Sequence, residues 1–215
     1  MPEPYGNFIL RTGKGLVGEF ELILGEHWHG SLFAGMRPIA DVGPGRCWFT
    51  KQSPADIIAV DNSPELVEHY AREGLDIRLG DACRLPFEDG QLQAIFCCWL
   101  LEHLSDPVLA FSEFHRSLRP GGFLCVIVPT PADMVAFYDD YTHVRPYTRT
   151  SLGQLAADGG FSRHETEFLP WTRGISRVQR HLGNGAAARY LRWADSGLRR
   201  LGLSDKRNLM LKAWK

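Results

Sequence analysis

The chain has 215 residues, 44% of them hydrophobic and 23% charged, with a formal net charge of −1. That composition suits a globular protein of one large domain, or one domain with an appendage, with a core that supports itself. It excludes the strongly basic balance of a typical nucleic-acid-binding domain, and no run of 18 apolar residues is present to cross a bilayer.

The N-terminus lacks a basic-then-apolar signal pattern. The cysteines, Cys47, Cys83, Cys97, Cys98 and Cys125, are odd in number and form no Cys-x-x-Cys pair. They read as free buried thiols in a reducing compartment, so a cytoplasmic location and no metal site are expected.

In chain order, residues 1–15 hold Pro2, Pro4, Gly6, Gly13 and Gly15 and read as an irregular lead-in. Leu16, Phe20, Ile23, Leu24, Trp28 and Leu32 recur at helical spacing, which predicts a helix over 16–33. His27 and His29 lie two apart there and cannot share a helix face as ligands. Pro38-Ile39-Ala40-Asp41-Val42-Gly43-Pro44-Gly45 reads as a buried strand that stops at a glycine turn, where the backbone can approach a ligand closely. The stretch 46–55 is a poor helix, because Trp48, Phe49 and Thr50 are weak formers and Pro54 breaks one.

A second apolar run, Ile57–Val60, ends in Asp61, 18 residues after Gly43. In a nucleotide-binding β-α-β unit, an acid about 20 residues on accepts both ribose hydroxyls. Ser63-Pro64-Glu65 starts a helix that runs to about Glu73 and is ended by Gly74. A third run, Asp76–Leu79, leads into Gly80-Asp81-Ala82. Leu92–Leu101 is expected to be the central strand and its exit. Ser105-Asp106-Pro107 starts a helix with Val108, Leu109, Phe111, Phe114 and Leu118 on its buried side. Pro120-Gly121-Gly122 turns into a strand over Phe123–Val128.

Asp139 to Tyr147 packs two carboxylates, His143, Arg145 and two phenols into one connection, too polar for a core and placed where loops carry function. A surface loop in which Arg145 pairs with Asp139 or Asp140 is the plainer reading. Thr150–Asp158 reads as a helix, Phe161–Phe168 and Asn208–Trp214 as strands. Residues 170–207 differ from the rest: eight arginines and Lys206 against Asp195 and Asp205 give them a net charge of +7. A solvated helical hairpin, a cap over an acidic acceptor, and a patch on an anionic membrane surface all fit that composition.

On these motifs the chain resembles the class I S-adenosylmethionine-dependent methyltransferases, of the small kind called the type-11 methyltransferase domain. Asp41-Val42-Gly43-Pro44-Gly45 is similar to the family's first motif, Asp61 to its ribose-binding acid, and Gly80-Asp81-Ala82 to the segment whose Asp faces the adenine amino group. Leu85-Pro86-Phe87 and Leu92–Leu104 are similar to the fourth strand with its approach and exit, and Leu118–Leu124 to the turn into the fifth. The likeness spans about residues 36 to 168. Cys47 stands where a third glycine is frequent, and the following helix is expected to be a single turn or absent.

The resemblance implies an α/β fold: a Rossmann-like, mostly parallel seven-stranded sheet with helices on both faces and a final antiparallel hairpin. Residues 36–169 and 208–215 would form it, with 1–35 as lead-in and helix and 170–207 as a helical insertion in the hairpin. It implies S-adenosyl-L-methionine as cofactor, held by Asp41, Gly43, Gly45, Asp61, Asn62, Asp81, Ala82 and Trp99. The acceptor would be a small molecule or a lipid-linked one, with no nucleic-acid partner. It would enter beyond the fourth strand, walled by Asp140, Tyr141 and Arg145. His103 and His143 are the base candidates, and Glu102 either bonds the cofactor's amino-acid end or caps a turn. Two other readings share the fold. One is a methyltransferase-like module without turnover. The other is a nicotinamide oxidoreductase, whose fingerprint wants a small residue where Trp48 stands.

Overall fold

In the computed structural model, residues 31–169 and 206–215 are described, with isolated positions between 181 and 197. Most of the expected first helix and nearly all of the basic segment 170–207 lie outside the described residues. The strands are β1 (Ile39–Val42), β2 (Ile57–Asp61), β3 (Ile77–Leu79), β4 (Leu92–Cys98), β5 (Leu118–Pro129), β6 (Arg163–Phe168) and β7 (Asn208–Trp214). The helices are α1 (Pro64–Arg72), α2 (Pro107–Ser117), α3 (Met134–Tyr138) and α4 (Arg149–Asp158). One sheet has the order β3-β2-β1-β4-β5-β7-β6. β1 through β5 pair in parallel, and β7 lies antiparallel between β5 and β6. The strand order reverses between β1 and β4, and in such sheets a ligand crevice opens beyond the carboxyl ends at that point.

Alternation along the strands divides the core into two faces. In β5, Leu124, Val126 and Val128 join one cluster with Phe111, Phe114, Leu152 and Phe161. Phe123, Cys125 and Ile127 join Phe33, Phe49 and Phe96 on the other. Both faces are buried, so the central strands carry almost no polar side chain. The exception that matters is Asp41.

The local starts and stops follow the sequence closely. The Ser63 hydroxyl accepts the Leu66 N–H at 3.3 Å with Pro64 at the first helical position, and Asp106 accepts from Leu109 at 3.0 Å. Each cap contributes about 1 kcal/mol. After β1 only Thr50–Gln52 forms a helical turn, of the 3-10 type. This is the single turn expected there, and aromatic packing covers that face in place of a longer helix. Phe49 is fully buried with its ring 4.4 Å from Phe96 and 5.1 Å from Phe33, centroid to centroid.

Two expectations are corrected, and one element is new. Val108 and Leu109 are exposed, at 43% and 46%, and not in the core. The buried face of α2 runs through Pro107, Ala110, Phe111, Phe114 and Ser117; at 100° per residue, Val108 and Leu109 point well away from it. β5 begins at Leu118 rather than beyond Gly122, because Leu118 already pairs with Leu92 before the register shifts to Phe123 opposite Ala94. The short helix α3, unforeseen in the sequence, stands inside the long connection after β5. No helix among the described residues is long and apolar enough to cross a membrane.

Candidate active site

Beyond the carboxyl ends of β1, β2 and β4 lies a cavity of about 330 Å³. Gly43, Gly45, Asp61, Asn62, Asp81, Ala82 and Trp99 line it, so seven of the eight expected cofactor contacts meet in one place. Val42, Val60, Leu100 and Leu104 add apolar wall, and His103 and Thr142 close the end beyond β4.

The glycine loop is built by left-handed backbone. Gly43 has φ +68° and Gly45 +52°. A Cβ on Gly43 would come within 2.9 Å of Leu100 Cδ2, so only glycine lets strand end and cavity wall pack this closely. Cys47 also takes φ +54° while fully buried. The residue that stands where a third glycine is frequent therefore keeps a glycine-like backbone, a conformation few side chains adopt.

Asp41 corrects the eighth expectation. It does not line the cavity but sits behind the loop, 3% exposed, with Oδ2 accepting the Thr50 hydroxyl at 2.7 Å. Burial pushes its carboxyl up to about 7, against the pull of that hydrogen bond. Its role is to tie the glycine loop to the 3-10 turn. Asp61 is at the cavity wall. Its Oδ1 accepts the Ser63 N–H at 2.9 Å, which fixes the carboxylate's orientation at the end of β2. Burial raises its pKa, opposed by bonds from the Ser63 and Asn62 backbone. Asp81 accepts the Cys83 N–H at 2.7 Å and holds the third strand-end turn.

The far end is built from two segments stitched together. The Val144 N–H donates to the Glu102 carbonyl at 2.7 Å, the Tyr147 hydroxyl to the Leu101 carbonyl at 3.2 Å, and the Arg145 guanidinium to the Ser105 carbonyl at 3.1 Å. Arg145 thus fastens the loop to the exit of β4, and Tyr141 is 92% exposed; neither lines the cavity, and nor does Asp140. The loop residue that does is Thr142, which sequence reading passed over because a lone threonine carries no signal.

Thr142 accounts for the protonation of His103. Its hydroxyl donates to Asp140 Oδ1 at 2.6 Å, so towards His103 Nδ1, 2.9 Å away, it can only accept. His103 therefore carries its proton on Nδ1 and its lone pair on Nε2. Burial raises the Asp140 carboxyl, but the Thr142 bonds together with the His143 and His103 imidazoles outweigh it and the net shift is downward. Burial, then the neighbouring imidazole of His143, lowers the pKa of His103. His143 does not line the cavity; its ring centroid lies 4.7 Å from that of His103. Its Nδ1 donates to the Phe137 carbonyl at 2.6 Å, which again leaves the lone pair on Nε2.

Glu102 is 1% exposed and does not line the cavity. Its Oε2 has no hydrogen-bond partner, and burial pushes its carboxyl up to about 8. Glu102, His103 and His143 each offer a ligand atom, all within 4.8 Å of one another.

Residues 40–126 match the family model described as "Methyltransferase domain". The chain is 33% identical over 124 residues to an uncharacterized 37.1 kDa protein in transposon TN4556 of Streptomyces fradiae, covering 49% of this chain and 36% of that one. Over 91 residues it is 36% identical to a demethylmenaquinone methyltransferase of Beutenbergia cavernae, 40% of this chain and 38% of the relative. The chain thus spans less than half the length of either relative. A SAM-dependent methyltransferase from Archaeoglobus fulgidus shares the fold with a TM-score of 0.69 at 19% identity, over 99% of this chain and 100% of that one.

Proposed function

Residues 40–126 belong to the methyltransferase-domain family, and from that premise we propose that the chain transfers a methyl group from S-adenosyl-L-methionine to a small-molecule or lipid-linked acceptor. The observation that carries this reading is the assembly of Gly43, Gly45, Asp61, Asp81 and Ala82 around one cavity at the sheet's reversal point.

The residues present suit that cofactor. The oriented Asp61 carboxylate accepts two neighbouring hydroxyls, and the apolar wall of Val60, Ala82 and Leu104 suits the faces of a flat base. The bound cofactor supplies an electrophilic methyl group on a sulfonium that is its own leaving group. The chain's task is then alignment and exclusion of water, worth several powers of ten in rate without any covalent bond to the protein. The glycine loop, with Asp41 and Thr50 behind it, holds one end. Leu100, His103 and Thr142 border the other, where an acceptor enters. His103 presents a neutral imidazole there, with Nε2 able to accept a proton.

A small or lipid-linked acceptor accords with the similarity to the demethylmenaquinone methyltransferase of Beutenbergia cavernae and with a loop, 139–147, sewn down close to the cavity end. A cytosolic location belongs to the same proposal, in keeping with five thiols that form no disulfide. A second reading, a methyltransferase-like module without turnover, draws on one observation: only a 3-10 turn stands between the glycine loop and β2, so that loop carries no α-helix N-terminus for the cofactor. The test is formation of S-adenosylhomocysteine from the methyl donor across a panel of hydroxylated, amino and lipid-linked acceptors. Acceptor-dependent product supports transfer. Tight cofactor binding without product from any member of the panel favours the inactive module.

A further inference from the structure

We propose that Glu102, His103 and His143 form a binding site for one divalent transition-metal ion of the zinc type, behind the acceptor end of the cavity, which His103 alone of the three lines. Two imidazoles and one carboxylate are a recurrent ligand set for such ions, and three protein ligands leave positions open for another molecule.

Three independent features point the same way. The first is geometry. With all ligand atoms within 4.8 Å of one another, a point exists no more than about 2.8 Å from each, so each atom has at most ~0.7 Å to move to reach a bond of ~2.1 Å. The second is the hydrogen bonding behind the ligands. Both histidines spend their Nδ1 protons on fixed acceptors, the Thr142 hydroxyl and the Phe137 carbonyl. Both Nε2 lone pairs are thereby kept available, and Asp140 completes a carboxylate–hydroxyl–imidazole chain behind His103. Outer partners of this kind orient metal-binding histidines. The third is Glu102. It is 1% exposed and its Oε2 meets no donor, a buried acceptor that a cation would satisfy.

A base role for His103 would use the same lone pair and would involve neither Glu102 nor His143, whose Nε2 lies 4.0 Å from Asp140 Oδ2. The ion accounts for all three. It would take the acceptor's oxygen or nitrogen as a further ligand and ease loss of its proton. That role in catalysis rests on the methyl-transfer reading; the ion site itself does not. The sequence gives little hint of the site, since Glu102-His103 and His143 stand 40 residues apart and match no metal spacing.

The test is calorimetric titration of the metal-stripped full chain with Zn2+, with Mg2+ as the hard-cation control and elemental analysis after dialysis. The expected result is about one zinc per chain with little response to magnesium, weakened at least tenfold in both Glu102→Gln and His143→Gln. Since Glu102 is buried, circular dichroism checks that its variant folds; His143→Gln, on the loop, carries the test if it does not. Absence of zinc binding by the wild-type chain overturns the proposal, and so does zinc held equally well by His143→Gln, which would point to the thiols. S-adenosylhomocysteine binding measured on the same samples separates the two readings. Zinc without the cofactor product sinks methyl transfer and leaves the ion site; the reverse sinks the ion site alone.

Discussion

Replacing Asp41 by Asn changes how stability depends on pH, and the direction follows from burial. In the folded chain the carboxyl titrates at about 7, against an ordinary 3.8. Below about pH 4 the group is protonated in both states and contributes no difference. As pH rises further, the unfolded chain releases the proton first, so the folded state binds more protons and stability falls. The loss continues to about pH 7, where both states are ionised. A separation of about 3 pH units at 1.36 kcal/mol each makes the full penalty on the order of 4 kcal/mol. Asn keeps an oxygen for the Thr50 hydroxyl, which now donates at 2.7 Å, and cannot ionise. Urea unfolding of both proteins from pH 4 to 8 should therefore show the variant gaining on the wild type as pH rises, most steeply between about 4 and 7. Curves that stay parallel across that range would refute the reasoning.

Gly43→Ala puts a Cβ 2.9 Å from Leu100 Cδ2 on a backbone at φ +68°. A loss of about 1–3 kcal/mol in thermal unfolding is expected, and cofactor binding should weaken at least about tenfold as Leu100 is driven into the cavity it lines. An unchanged affinity would show that the loop tolerates a side chain. Tyr147→Phe leaves the Leu101 carbonyl without the phenol that donates to it at 3.2 Å. It should cost about 1 kcal/mol by denaturant unfolding, and no change would mean that water replaces the hydroxyl. Arg116→Met removes donors to the Phe87 and Leu85 carbonyls and to Glu113 and Asp89. About 1–3 kcal/mol is expected at low salt; a neutral effect would show that this network does not hold the 85–89 loop.

The strand ends were legible because each is marked by residues with one physical use there: Gly43 and Gly45 for backbone approach, Asp61 and Asp81 for hydrogen bonding at an edge. The caps of α1 and α2 were legible for the same reason, since Ser63-Pro64 and Asp106-Pro107 act locally. What could not be read depends on distance in space. Val108 and Leu109 look like core residues until the helix phase set by Phe111 and Phe114 is known. Phe49 replaces a helix through contacts with Phe33 and Phe96 that no local pattern announces. Thr142 matters only because the loop is stitched to Leu101, Glu102 and Ser105, and Glu102 gains its meaning only from burial. Asp41 shows a further limit. A motif match places an acidic residue at the strand end, but only the fold shows that its side chain turns away from the cavity.

The central claim is that one adenosine-containing methyl donor occupies the cavity between the glycine loop and Asp61. Titration calorimetry with S-adenosyl-L-methionine and S-adenosylhomocysteine tests it most directly. The account predicts micromolar, one-to-one binding by the wild-type chain, lost in a folded Asp61→Ala variant. No heat from either ligand, or an affinity that survives Asp61→Ala, would contradict it.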